Sequence, residues 1–93
     1  MEDEISKDVL RIVYSREIEH ALSRWKKKDA NLFHQIERCI VKILRDPRIG
    51  KPLRHAMKNR RRVHIGSFVL IYEFHNGALR FLDFDHHDRV YKK

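Results

Sequence analysis

The chain has 93 residues, the usual length of one domain, and carries 21 lysines and arginines against 13 acidic residues. Its lone cysteine, Cys39, excludes an internal disulfide and fits a reducing compartment, so we expect a cytoplasmic protein. No apolar run approaches the roughly 20 residues of a membrane helix, and the opening MEDEISKD is too polar for a signal peptide. We therefore expect a single domain over residues 1–93 with no membrane partner.

The positive charge is concentrated in one segment of the chain. Between Asp46 and Glu73 there is no acidic residue, while seven lysines and arginines lie from Arg48 to Arg62. A field of one sign over so short a stretch attracts polyanions, and nucleic acid is the polyanion that fits it best. A solvated basic face, or a docking surface for an acidic protein, would give the same pattern.

The first half of the chain predicts a strand and two helices. Residues 9–14, VLRIVY, are apolar and β-branched, which is typical of a strand. Ser15 provides a side-chain oxygen that caps a helix, and this helix ends in a run of lysines that suits its C-terminal dipole. Asp29 caps a second helix, which Pro47 ends. So short a link predicts an antiparallel helical hairpin, with Cys39 as a small packing residue.

The second half predicts a loop and then a sheet. The proline- and glycine-containing stretch 47–58 is predicted to be a loop. Beyond it the apolar period becomes that of a strand. Strands are predicted at 60–65, 68–74 and 79–84, with tight turns at 66–67 and 76–77. The order β-α-α-β-β-β indicates an α+β fold in which the helical hairpin packs on a C-terminal antiparallel meander. The other face of the sheet is then free for function.

Alternation of side chains along a strand predicts what the free face carries. In the strand 60–65, Val63 and Ile65 must face the helices. Arg60, Arg62 and His64 therefore line the free face, roughly 6–7 Å apart along the strand. A sheet face that is merely solvated would accept the same residues.

The C-terminal stretch DFDHHDRVY, residues 83–91, carries adjacent histidines that point to opposite faces of an extended chain. They cannot easily close on one ion, and the single cysteine provides no cysteine pair, so no metal site is expected. A neighbouring aspartate can fix a histidine tautomer. Tyr91 reaches the same region if the chain turns after His87. The alternative is that the histidines only end a strand and Tyr91 packs. Alternation gives two opposed sets: Asp83, Asp85 and His87 against Phe84 and His86.

Four segments carry a resemblance to a known family: IGKPLRH (49–55), RRVHIG (61–66), SFVLIYEF (67–74) and DFDHHDRVY (83–91). In this order, after a helical hairpin, they resemble the RelE/ParE superfamily of bacterial and archaeal toxins. The resemblance is to its RelE branch in particular, and to archaeal-type members that carry the DHHD ending. The resemblance implies the toxin of a type II toxin–antitoxin system, active in stress responses and inhibited by a cognate antitoxin. It further implies an endoribonuclease that contacts ribosomal RNA and cleaves mRNA in the ribosomal A site, which inhibits translation.

The resemblance also implies the chemistry. The RNA 2'-hydroxyl attacks the neighbouring phosphate, no metal or cofactor takes part, and a cyclic phosphate remains. By position, Arg62 and His64 match two basic residues of the family's second strand, His87 matches an Arg-or-His position after the last strand, and Tyr91 matches a later Tyr. These four are the predicted catalytic residues, with the two histidines as base and acid in undecided order.

The same matching predicts which residues position the RNA. The predicted RNA-binding residues are Lys51, Arg54, Lys58, Arg60 and Arg61. The chain departs from the family at Val69, because many RelE members carry an arginine there. A phosphate-binding cation is therefore missing at that position. Either neighbouring arginines substitute for it, or the chain cleaves weakly, or it keeps the fold without the reaction.

Two other functions fit the same resemblance or charge. ParE-type relatives poison DNA gyrase and cut no RNA, which would make this chain a protein-binding inhibitor. In that case His64, His87 and Tyr91 would have no reason to converge. A non-catalytic RNA-binding module would instead show salt-sensitive RNA binding without cleavage.

Overall fold

A computed structural model describes residues 4–53 and 59–90 of the chain. Its strands form one five-stranded sheet in the order β1-β5-β4-β3-β2, in which β1 runs parallel to β5 and the other neighbours are antiparallel. The predicted α+β fold, with an N-terminal strand, a helical hairpin and a C-terminal meander, is confirmed. The elements are β1 (Arg11–Tyr14), α1 (Arg16–Lys28), α2 (Ala30–Arg45), β2 (Lys51–Pro52), β3 (Arg60–Ile65), β4 (Phe68–His75), β5 (Ala78–His86) and α3 (His87–Val90).

Side-chain caps fix where the two long helices begin. Ser15 Oγ accepts the backbone N–H of Ile18 at 3.0 Å, and Asp29 Oδ1 accepts that of Leu32 at 3.1 Å, so both predicted caps are confirmed. The N–H of Asp29 also donates to the Trp25 carbonyl and ends α1. One residue thus closes α1 and opens α2, which folds the helices into a hairpin. Of the helices in the described ranges, none is long and apolar enough to cross a membrane.

The main core lies between the helices and one face of the sheet. Ile18 of α1 and Ile36 of α2 are fully buried against Tyr72 and Phe81 of the central strands. Burial of a side chain of this size contributes about 1.5–3 kcal/mol. Cys39 belongs to the same core, where burial raises the pKa of its thiol to about 11. The thiol therefore stays neutral and packs as a small apolar group, as predicted.

One extra residue in β5 changes which face its side chains take. The register passes from the Tyr72–Phe81 pair to the Ile71–Asp83 pair and leaves Leu82 between them. Phe81 faces the helices before this bulge. After it, the residue that follows Asp83 is again aromatic and joins the main core, while Asp83 faces away from the helices. The predicted split of residues 83–86 between the two faces is confirmed, but the bulge that produces it was not predicted.

The second face of the sheet is partly covered, contrary to the expectation of a free face. Val69 and Ile71 of β4 are buried there against Val90 of α3, with Leu53 and Leu82 packed around them. The sequence did not predict α3, which has one turn and no cap or periodicity of its own. It packs back on the sheet because this removes the apolar side chains of this face from water.

A buried tyrosine holds the segment that leads into β2. Tyr72 Oη donates to the Pro47 carbonyl at 2.8 Å and accepts the Gly50 N–H at 2.9 Å. A Cβ at Gly50 would lie 2.8 Å from the tyrosine ring, so this close approach requires glycine. Arg61 Nη1 donates to the carbonyls of Arg48 and Gly50 at 3.0 and 2.8 Å. These contacts bring the segment alongside β3.

The prediction that 47–58 is a loop is therefore wrong in part. Lys51 and Pro52 form β2 and pair with Arg62 and Arg61 of β3. A strand of two residues leaves no periodicity in the sequence, and the Tyr72 contact that positions it is long-range. Residues 54–58 lie outside the described part of the chain.

Replacing Tyr72 with phenylalanine is expected to lower the free energy of unfolding by about 1–3 kcal/mol, because the Gly50 N–H and Pro47 carbonyl lose their buried partner. Urea titration measures this change. Tyr14→Phe is the matched control, since Tyr14 is 39% exposed and its hydroxyl has no hydrogen bond to another described residue. The control is expected to change stability by less than about 0.5 kcal/mol. Equal effects would contradict the role given to the Tyr72 hydroxyl.

Replacing Val90 with alanine is expected to loosen α3, because a one-turn helix has no stability apart from its packing. The removed methyl groups cost roughly 1 kcal/mol. Hydrogen exchange at the His87 amide, which donates to the Ser67 carbonyl at 2.9 Å, is expected to become several-fold faster. The Leu70 amide, in the middle of β4, serves as the internal control and should change less. Unchanged exchange at His87 would show that Val90 does not hold α3.

Candidate active site

The face opposite the helices carries its polar side chains in rows that cross the strands. Directly paired residues on neighbouring strands share a face, so the register defines each row. In the second and third rows, basic side chains stand on β2 and β3 and carboxylates stand on β5. The rows are Arg60, Glu73 and Arg80; Lys51, Arg62, Ile71 and Asp83; and His64, Val69 and Asp85.

Two histidines predicted to act as acid and base lie side by side on this face. His64 is exposed on β3, and His87 is the first residue of α3. Their ring centroids are 6.2 Å apart, with 37° between the ring planes. The backbone N–H of His87 donates to the Ser67 carbonyl at 2.9 Å and fixes this residue beside the turn between β3 and β4. The geometry therefore offers two imidazoles to one small group bound between or above them.

Asp88 contributes a carboxylate that the sequence analysis did not single out. Its Oδ1 lies 3.2 Å from Nδ1 of His87. This contact favours the tautomer with a proton on Nδ1, in which Nε2 is the nitrogen that can accept a proton. The sequence shows Asp88 directly after the histidine pair. Its carboxylate reaches the ring of His87 only because the chain turns into α3 there. Among the described residues, no three His, Cys, Asp or Glu side chains are grouped in a way that could hold a metal ion.

The adjacent histidine, His86, takes the other side. Its ring packs edge-on against Phe68, with 5.7 Å between centroids, on the side of the main core. Asp85 precedes it, and its Oδ1 accepts a hydrogen bond from Arg89 Nε at 3.2 Å. The predicted opposition of the two histidines is confirmed, and only His87 lies next to His64.

Arg62 lies between Lys51 of β2 and Ile71 of β4. Its side chain is half-buried, and its Nε is buried without a hydrogen-bond partner among residues 4–53 and 59–90. A buried guanidinium N–H left unpaired costs free energy, and a bound anion would supply the missing acceptor. Arg62 thus combines a positive charge with a donor that has no acceptor among the described residues. It lies two residues from His64 on the same face of β3.

The floor beneath these groups is apolar. Val69, where the resemblance leads us to expect an arginine, is fully buried between His64 and Asp85 in the third row. It packs with Ile71 and Val90. An apolar floor lowers the local dielectric constant, which strengthens the interaction of the surrounding charges with a bound phosphate.

The remaining predicted residues are distributed differently. Arg60 lies on the same face as Arg62, with its Nε 3.9 Å from a Glu73 oxygen, and Lys51 is exposed on β2. Arg61 lies on the helix-facing side, where its guanidinium donates to backbone carbonyls. The roles of these residues in RNA binding stay predictions. Three further predicted residues lie outside the described part of the chain: Arg54, Lys58 and Tyr91.

Comparison with known proteins identifies relatives in sequence. The family model for the ParE toxin of type II toxin–antitoxin systems, parDE, matches residues 7–91. RelE4 of Methanocaldococcus jannaschii is 37% identical over 79 residues, which covers 82% of this chain and 84% of that protein.

Solved structures share the fold. The YoeB/ParE toxin from Agrobacterium tumefaciens superposes with a TM-score of 0.73 at 18% identity, over 84% of this chain and 99% of that one. The toxin–antitoxin complex RelBE2 from Mycobacterium tuberculosis gives 0.68 at 17% identity, over 90% and 98%. At these identities the likeness concerns the fold alone, but the family model spans nearly the whole chain. The chain therefore belongs to the RelE/ParE superfamily, as a toxin of a type II toxin–antitoxin system.

Proposed function

We propose that this toxin is an endoribonuclease that cleaves mRNA at the ribosome and so stops translation. The observation that carries the proposal is the His64–His87 pair, with 6.2 Å between ring centroids, on the face that also holds Arg62. Cleavage by the 2'-hydroxyl needs a base for that hydroxyl, cations for the charge on phosphate, and an acid for the leaving oxygen. These three residues match the three needs.

The reaction balances with these groups alone. One imidazole removes the proton of the 2'-hydroxyl, and the 2'-oxygen forms a bond to phosphorus. The bond from phosphorus to the 5'-oxygen breaks, and the second imidazole gives its proton to that oxygen. The products are a 2',3'-cyclic phosphate and a free 5'-hydroxyl. Side chains carry both protons, so the proposed reaction uses no cofactor.

The geometry supports this division of labour. A base and an acid must each come within about 3 Å of an oxygen on opposite sides of one phosphorus. Ring centroids 6.2 Å apart suit that requirement. Asp88 favours the Nδ1–H tautomer of His87, which presents Nε2 to the substrate. The unpaired Nε of Arg62 would donate to a non-bridging phosphate oxygen.

A cognate antitoxin is the second inferred partner. The RelBE2 structure, which shares this fold, is a toxin–antitoxin complex. We infer a comparable protein for this chain, one that covers the basic face or displaces α3. Such a partner would keep RNA from the histidine pair. The proposed substrate also sets the compartment, because ribosomes and their mRNA place the toxin in the cytoplasm.

Gyrase inhibition is a second candidate function, favoured by the match to the ParE family model over residues 7–91. It gives the paired histidines no task. Induced expression in bacterial cells, with parallel pulse labels of methionine and thymidine, separates the two candidates. An RNase that stops translation lowers methionine incorporation first. A gyrase inhibitor lowers thymidine incorporation first, and that result would overturn the proposed cleavage.

His87→Ala is expected to lower single-turnover cleavage of ribosome-bound mRNA by roughly 10²-fold or more, the usual scale for a general acid–base residue. His86→Asn is the matched control, because the His86 ring packs on Phe68 on the side of the main core, and asparagine can still accept the Asp88 N–H that His86 Nδ1 accepts. Its loss of rate should be far smaller. A His87→Ala variant as fast as its parent would remove His87 from the reaction.

Arg62→Lys is expected to lower the cleavage rate by about 10-fold or more although the charge is kept, because lysine lacks both Nε and the planar fork of donors. The single-turnover rate constant at saturating protein measures the effect on chemistry. Arg80→Lys is the control on the same sheet face, where the guanidinium Nε lies 3.7 Å from Glu73. Equal rates for the two variants would contradict a direct contact between Arg62 and the phosphate.

A further inference from the structure

A concave part of the surface adjoins His64. It is a cleft of about 340 Å³ between α2 and the outer edge of β3. Because β2 pairs with β3 only at Arg61 and Arg62, the end of β3 pairs with β4 on one side and has no strand on its other side within the described ranges. His64 lines this cleft and also faces His87. The cleft is thus continuous with the candidate active site.

Two cations stand on the helical wall of the cleft. Arg38 and Lys42 are exposed and lie one turn apart on α2, about 6 Å along the helix axis. Neither side chain has a hydrogen bond or ion pair to another described residue. Gln35, one turn before Arg38, adds an amide to the same wall. The wall therefore offers donors that the fold itself does not use.

No negative charge offsets these cations within the described lining of the cleft, which includes no Asp or Glu. Glu37 lines a neighbouring cleft together with Arg38 and Lys42, and its carboxylate there lies 3.2 Å from His34 Nδ1. Cys39 contributes a neutral thiol, because burial raises its pKa to about 11. The field in the cleft is positive, and a concave shape concentrates it.

We propose that this cleft binds the phosphate backbone of the substrate RNA next to the scissile phosphate, with Arg38 and Lys42 as the contacts. The inference rests on the proposed function. If His64 and His87 hold the scissile phosphate, the neighbouring nucleotides lie at the cleft, because His64 also lines it. An acidic protein segment fits less well. Protein interfaces rely on large buried anchors, and no Phe, Tyr or Trp side chain lines the described part of the cleft.

The test measures binding of RNA that cannot be cleaved. A trinucleotide and an oligonucleotide of about ten residues, both fully 2'-O-methylated, are titrated with the full chain by fluorescence anisotropy over a range of salt concentrations. The variant is Arg38→Gln with Lys42→Gln. The control is Arg16→Gln with Lys27→Gln, which removes the same charge from exposed positions of α1. Circular dichroism confirms that all the chains are folded.

The expected result is specific to the longer RNA. Two lost phosphate contacts should reduce the slope of log K against log salt by about 1.4, and lower the affinity at low salt by about 10-fold or more, for the variant alone. The trinucleotide should bind all chains alike. A variant that matches the control overturns the proposal, as does loss of poly-glutamate binding without loss of RNA binding. Cleavage by the parent, assayed separately on ribosomes, tests the proposed function independently of these results.

Discussion

The bulge at Leu82 is the feature on which the placement of the candidate site depends. Strict alternation along β5 would put Phe81 and Asp83 on the same face of the sheet. One extra residue shifts the phase, so that Phe81 stays in the main core while Asp83 faces away from the helices. The strand then reaches its end with His86 against the core and His87 on the opposite side. Without the bulge, the two histidines would exchange faces.

The two halves of the site are held with unequal strength. His64 belongs to β3, which is bonded to β4 along its whole length. His87 belongs to α3, which is held by the bond from its N–H to the Ser67 carbonyl, by exposed contacts of Asp88 and Arg89 with the end of β5, and by the packing of Val90 against Val69. Local openings draw on segments with few buried contacts, and α3 is such a segment. The distance between the imidazoles is therefore set by the docking of α3, and a partner that moved α3 would separate the pair without disturbing the sheet.

Local chemistry was enough to predict some elements and not others. The caps at Ser15 and Asp29 act within three residues, so the helices could be read from sequence. The hairpin turn at Asn76 and Gly77 is equally local, and both residues take positive φ there. In contrast, β2 exists because Tyr72, far along the chain, bonds to Pro47 and Gly50. The proximity of His64 and His87 depends on local and on tertiary structure. Alternation along the strands predicted that both face away from the helices, but the distance between their rings is set by the packing of α3.

Val69 links the architecture of the site to its proposed chemistry. Resemblance to the RelE branch leads one to expect an arginine at this position, but here the side chain is fully buried and packs with Val90. An arginine would have to expose its guanidinium where α3 now lies, so the apolar residue and the docked helix are compatible with each other. The chain loses a cation beneath the phosphate and gains an anchor for the segment that carries His87. In the proposed reaction Arg62 then stabilises the charge on phosphate, and the imidazoles of His64 and His87 transfer the protons, because imidazole can act as a general acid and base and a guanidinium serves these roles poorly.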